Sequence, residues 1–203
     1  MEVIETVKKL IEEKPNRYVA LKGNHEDYKE EYKEGKLQIK PQFSPCDLER
    51  EVKRKGGDWQ TYYTNVFKPF AKKLYLAAIL PGKYLFIHGG ISPDIKSLED
   101  LKRPTKEIET AILWYDPGKA TGMQPNYNRS LDGSTLYFGK DITENVCKNL
   151  GIKAIIRSHE PTKVKERPVI EHDGHVITTS TTKVYEKIYR EKYEACLLYT
   201  SPS

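Results

Sequence analysis

Three cysteines, two methionines and two tryptophans are all that the 203 residues hold of those types. Cys46, Cys147 and Cys196 share no metal-ligand spacing, so structural zinc is not expected and a reducing compartment is. No apolar run approaches the ~20 residues of a membrane span, and no signal peptide opens the chain. The cytoplasm is the default location. Charge of one sign is also scarce. The formal net charge is +5, and Lys and Glu interleave along the chain. Such mixing reads as a solvated surface rather than a nucleic-acid stripe, so neither nucleic acid nor membrane is expected as a partner. No internal repeat or low-complexity segment occurs. What is present, 37% hydrophobic and 31% charged residues, suffices for one core and not obviously two.

Periodicity outlines the elements. Val3, Ile4, Val7, Leu10 and Ile11 predict an amphipathic helix from Met1 to Glu13, ended by Pro15-Asn16. Arg17 to Leu21 is short, aromatic and β-branched and predicts a buried strand, with Gly23 permitting a sharp turn after it. Residues 28 to 40 are charged and predict a helix ending near Gly35, and Leu48 to Lys55 predicts another. Trp59, Tyr62, Tyr63, Val66, Phe67 and Phe70 recur at helical spacing, as a core stripe or else a peptide-docking surface. Leu74–Leu80 and Tyr84–Ile87 flank Pro81-Gly82 as a hairpin. Helices follow at Ser97–Leu101, at Thr105–Leu113 with Thr105 as N-cap, and at Asp141–Leu150 with Gly151 as C-cap. Ile152–Ile156 is a strand, and Val169–Tyr185 is a hairpin.

Three histidines sit where apolar runs stop: His25 in Gly23-Asn24-His25-Glu26, His88 in Phe86-Ile87-His88-Gly89-Gly90, and His159 in Ile156-Arg157-Ser158-His159-Glu160. An Asn amide oxygen suits a divalent cation, and a His beside it can hand a proton to a leaving group. These stretches, with Leu113-Trp114-Tyr115-Asp116-Pro117 and Tyr137-Phe138-Gly139-Lys140-Asp141, stand in the order used by the phosphoprotein phosphatases. The chain resembles these metal-dependent serine/threonine phosphatases from residue 1 to about Val176. The resemblance implies a four-layer α/β (αββα) sandwich of the calcineurin-like metallophosphoesterase type, spanning 1–195.

Further implications follow from the same resemblance. Phosphomonoester hydrolysis in the family uses two divalent metal ions, manganese or iron and zinc. Asn24, His88 and His159 are expected to bind the second metal, and His25 to protonate the leaving alcohol. Arg129 is the candidate phosphate clamp, although its distance to Phe138-Gly139 is longer than the family spacing and a plain surface Arg is the competing reading. A phosphoprotein is the implied substrate. The family's Gly-Asp-x-His-Gly and Gly-Asp-x-x-Asp-Arg-Gly motifs are absent. Asp173-Gly174-His175 has the spacing of the former but reads as a hairpin turn between β runs. Without those carboxylates the sequence is expected to hold at most one metal, weakly, and to be inactive as written, an N-terminally incomplete phosphatase. Two alternatives remain: a non-catalytic relative that binds phosphoproteins, and a dinucleoside polyphosphate hydrolase on the same fold. Ser180 to Tyr185 lacks the family's Pro-Asn-Tyr. Residues 196–203 resemble a translated transposon-end adapter and are set apart from the fold.

Overall fold

A computed structural model of the chain describes residues 1–44, 46–164 and 167–181. The hairpin expected to reach Tyr185, Cys196 and the 196–203 tail therefore lie wholly or partly outside the described residues. The chain divides into two compact units, Met1–Tyr75 and Leu76 onward.

In the first unit, α1 (Glu2–Glu13) forms as its periodicity predicts, and Met1 and Ile4 pack on an aromatic cluster. The strand expected at Arg17–Leu21 is reduced to one parallel bridge, Leu21 to Tyr75, and Tyr18 and Val19 are exposed. The helix expected over residues 28–40 is instead a hairpin, β1 (Tyr28–Lys33) against β2 (Lys36–Pro41). Lys33 pairs with Lys36, so Glu34-Gly35 is a two-residue loop, and both residues have positive φ (51° and 74°). That loop matches the right-handed twist of the strands. In β2, Leu37 and Ile39 turn inward while Lys36, Gln38 and Lys40 face solvent.

The helix α2 (Leu48–Arg54) forms as predicted. A further helical run opens on Asp58, whose carboxylate accepts from Thr61 N–H at 2.8 Å. It comprises α3 (Trp59–Tyr62), a π turn (Tyr63–Phe67) and α4 (Lys68–Ala71). Pro69 has no N–H to give the preceding turn, which accounts for the widened stretch before it. The aromatic stripe is core: Trp59, Tyr62, Tyr63 and Phe67 are buried with Val52, and Tyr28 meets Trp59, Tyr63 and Phe67 at ring distances of 5.0–5.8 Å.

The second unit holds a five-stranded sheet in the order β3-β4-β8-β10-β9, from β3 (Ala78–Leu80), β4 (Tyr84–Phe86), β8 (Ala154–Arg157), β9 (Val169–Glu171) and β10 (Val176–Thr178). The pairs β4·β8 and β8·β10 are parallel, and the outer pairs are antiparallel. A three-stranded sheet is ordered β5-β7-β6, from β5 (Asp116–Pro117), β6 (Met123–Pro125) and β7 (Leu136–Phe138). The helices are α5 (Leu98–Lys102), α6 (Lys106–Trp114) and α7 (Lys140–Leu150). Thr105 caps α6 by accepting from Ile108 N–H at 3.3 Å, and Gly151 ends α7 in the left-handed region. One core joins Leu85, Ile112, Phe138, Val146, Ile155 and Val176. The runs Tyr84-Leu85-Phe86 and Ala154-Ile155-Ile156 are apolar throughout because parallel strands are covered on both faces. Asp173-Gly174-His175 is a turn, as expected, with His172 and Asp173 at φ 49° and 55°. Among the described residues, no helix is long and apolar enough to cross a membrane.

Candidate active site

The parallel pairing of β4 with β8 brings two of the predicted histidines together. Phe86 pairs with Ile156, and just past the strands Ser158 N–H donates to the His88 carbonyl at 3.0 Å. His159 then adopts φ 67°, a left-handed conformation costly for a residue with a Cβ. His88 Nε2 faces His159 Nδ1 at 3.1 Å. Two nitrogens about 2.0–2.1 Å from one cation, at 90–109° to each other, would stand about 2.8–3.4 Å apart, so the pair has ligand spacing.

The backbone after His88 is shaped by α6. Gly89 N–H and Gly90 N–H donate to the carbonyls of Ile112 and Ala111, at 2.6 and 2.9 Å, and satisfy the open end of that helix. A Cβ at Gly89 would stand 2.9 Å from the Ile112 oxygen, and one at Gly90 2.7 Å from the Tyr115 oxygen. Only glycines allow His88 to be delivered so close to the helix end.

His159 is buried, and desolvation, reinforced by the nearby guanidinium of Arg129, holds its pKa down to about 2. It is therefore a neutral imidazole, the form that binds metal. The Trp114 ring stands perpendicular to it at a ring distance of 6.0 Å, and His159 Nε2 is buried with no partner among the described residues.

Arg129 is anchored rather than loose on the surface. Its Nε donates to Asp116 Oδ2 at 2.6 Å, and its Nη2 donates to the His159 carbonyl at 3.1 Å. Asp116 also accepts from Asn126 Nδ2 at 3.1 Å and from Arg157 Nη2 at 2.6 Å. Burial alone would raise the Asp116 carboxyl; the charge of Arg157 and the hydrogen bond from Arg129 outweigh it and hold the carboxyl below its usual range. Glu160 is likewise engaged by Arg157 and Lys163. Asp116 and Glu160, the carboxylates near the histidine pair among the described residues, are thus committed to cations.

Asn24 and His25 belong to the first unit, on a single 3-10 turn (Asn24–Glu26). Gly23 is extended (φ −102°, ψ 175°) and opens the turn expected there, its carbonyl accepting from Glu26 N–H at 3.2 Å. Its own N–H donates to Glu26 Oε2 at 2.7 Å. Burial pushes the Glu26 carboxyl above its usual range, against the pull of Gly23 N–H and Lys22. Asn24 is buried, while His25 is exposed and stacks on Phe43 at 4.5 Å, which fixes its ring plane.

Among the described residues, no three His, Cys, Asp or Glu side chains gather as a metal site. The predicted donor set is one amide and two imidazoles, and the structure brings together its imidazole pair. Sequence reasoning gave no role to Asp116, Asn126, Arg157 or Glu160. The available signal was the Arg at the end of the apolar strand Ala154–Arg157, a position where a charge needs a buried counter-ion.

The family model for calcineurin-like phosphoesterases matches residues 2–163. A serine/threonine-protein phosphatase of Caenorhabditis elegans is 31% identical over 153 residues, 72% of this chain and 30% of that protein. Serine/threonine-protein phosphatase T of Aspergillus oryzae is 35% identical over 137 residues, 61% of this chain and 27% of that protein. The solved structure of a protein serine/threonine phosphatase from Saccharomyces cerevisiae, with similarity to human phosphatase PP5, superposes with a TM-score of 0.66 at 27% identity. It covers 87% of this chain and 51% of that one. The chain thus spans under a third of the two curated relatives and about half of the solved structure. With a mixed α/β fold, a matched family model and phosphatase relatives in both sequence and structure, the chain belongs to the calcineurin-like phosphoesterases, as a relative of the serine/threonine phosphoprotein phosphatases.

Proposed function

We propose that the chain contributes one half of a two-metal phosphatase centre acting on phosphoserine or phosphothreonine in a cytoplasmic phosphoprotein. The observation that carries this reading is the His88–His159 pair at ligand spacing, with Arg129 hydrogen-bonded to the backbone of His159. Asn24, His88 and His159 would hold one divalent ion, manganese or else iron or zinc. Divalent ions, when bound, neutralise the phosphate dianion and lower the pKa of the attacking water. Arg129, turned by Asp116, would grip phosphate oxygens with the part of its fork that faces away from the carboxylate. His25, exposed and held flat by Phe43, would hand its proton to the leaving alkoxide.

Two neutral imidazoles and an amide bring no negative charge to a cation. Asp116 and Glu160 cannot supply it while paired with Arg129, Arg157 and Lys163. That pairing favours, as a second reading, a phosphoprotein binder that does not hydrolyse its ligand. Activity separates the two. The sequence as written should hydrolyse aryl phosphates with manganese no faster than buffer. Adding Gly-Asp-x-His-Gly and Gly-Asp-x-x-Asp-Arg-Gly segments upstream should confer turnover, and His25→Ala should then cost about 10²–10⁴-fold. Manganese-dependent turnover by the unextended chain would overturn the inactivity. No turnover after extension would favour the binder.

A further inference from the structure

Arg157 lies at the end of β8 with its side chain fully buried (0% exposed). A guanidinium has five N–H donors in a rigid fork, and burying it is costly unless all are met. Here each nitrogen is engaged. Nε donates to the Gly89 carbonyl, Nη1 to Glu160 Oε2 and Thr178 Oγ1, and Nη2 to Asp116 Oδ1 and the Tyr115 carbonyl. The chain positions of these acceptors carry the argument. Gly89 follows His88, Glu160 follows His159, and Asp116 is the carboxylate that turns Arg129. Tyr115 follows Trp114, whose ring stands perpendicular to that of His159. One planar group therefore ties β5 and the end of β10 to the ends of β4 and β8, where His88 and His159 leave the sheet.

We infer that Arg157 is the positioning residue of this half-site, setting the His88–His159 spacing and the orientation of Arg129 from the protein side, before any metal is bound. The inference rests on the reading of His88 and His159 as site residues. A buried ion pair kept only for stability can be exchanged for apolar side chains at little cost. A pair kept for geometry cannot, because an apolar side chain at 157 would release Gly89, Asp116 and Glu160 together, and with them the backbone on either side of the left-handed His159.

The test uses the whole chain, free of metal, with labelled histidine. A nuclear Overhauser contact between the His88 and His159 rings is expected in the parent and in Arg129→Ala, and is expected to vanish in Arg157→Met with amide dispersion otherwise intact. Arg157→Lys should fail to restore it, since a point-like ammonium cannot reach Gly89, Asp116 and Glu160 at once. Should Arg157→Met not fold, Arg157→Lys decides alone. A ring contact that persists in a folded Arg157 variant, or is missing from the parent, overturns the inference. A purely structural Arg157 would lower the melting temperature of the variants and leave the contact in place. Zinc titration of the same samples should show about 10–100-fold weaker binding in the variants than in the parent. A parent that keeps the ring contact but takes up no zinc would count against the phosphatase reading, while the ring contact still decides the role of Arg157.

Discussion

Asp116 holds two guanidinium groups with one carboxylate, and its titration follows from that. Its folded-state pKa lies below the usual carboxylate value because the charges of Arg157 and Arg129 outweigh the desolvation that opposes them. A depressed carboxyl stabilises the fold above its unfolded pKa and loses that contribution as pH falls through the folded one. Removing the charge leaves Arg157 buried beside an amide, a change that costs about 3–5 kcal/mol when a buried pair is broken. Asp116→Asn is therefore expected to lower stability by about that amount at pH 7, with the difference from the parent shrinking below about pH 4 as the parent carboxylate protonates. Urea melts at pH 7 and pH 3 measure it, and a difference that is flat with pH would exclude the pairing. The partner of this residue is not legible in the sequence. A charge on an apolar strand can be flagged from sequence alone, but Asp116 and Arg157 are far apart in the chain, and only the fold brings them within 2.6 Å. The three histidines are legible because each ends an apolar run. The buried network around them has no such local mark.

Elements were readable where local signals agreed with burial. The helices α6 and α7 carry a Thr105 cap and a Gly151 stop, and β4 and β8 are apolar up to Arg157, so the expected elements fall within two residues of the observed bounds. The β1–β2 hairpin stands where a helix is expected, because Lys and Glu fill its outward positions and favour helix on propensity. Its inward residues, Tyr28, Leu37 and Ile39, show a strand period only once the aromatic cluster that receives Tyr28 and Ile39 is known. The Arg17–Leu21 stretch erred the opposite way, since strand-forming residues there find a single bridge. The hairpin loop gives a direct check. A Cβ at Gly35 would touch nothing within 4 Å, so a substitution there meets only the cost of a left-handed backbone. Gly35→Ala is expected to destabilise by about 1–2 kcal/mol. Glu34→Asn, which creates the Asn-Gly pair that such turns favour, should stabilise by up to about 1 kcal/mol. Thermal melts of both variants measure this, and effects of the opposite sign would mean the segment does not turn at residues 34–35.

At the scale of the whole molecule, the two units have separate cores and one tryptophan each. Trp59 is buried in the aromatic cluster of the first unit, and Trp114 packs against the aliphatic core of the second. The first core is small. Its α1 contains no buried residue, and Trp59 Nε1 and Tyr62 Oη are buried there with no partner among the described residues. Unmet polar atoms cost about 1–3 kcal/mol each, a large share of a typical 5–15 kcal/mol total. The second core draws on both sheets and three helices of its unit. Two single-tryptophan forms separate the units: Trp114→Phe reports through Trp59, and Trp59→Phe reports through Trp114. In urea the Trp59 signal is expected to change first and with the shallower slope, because less surface is exposed when the smaller unit opens. The Trp114 transition should follow at higher denaturant and be steeper. Coincident midpoints and slopes in the two forms would show instead that the units unfold as one cooperative body, and would refute the separation of their cores as an energetic division.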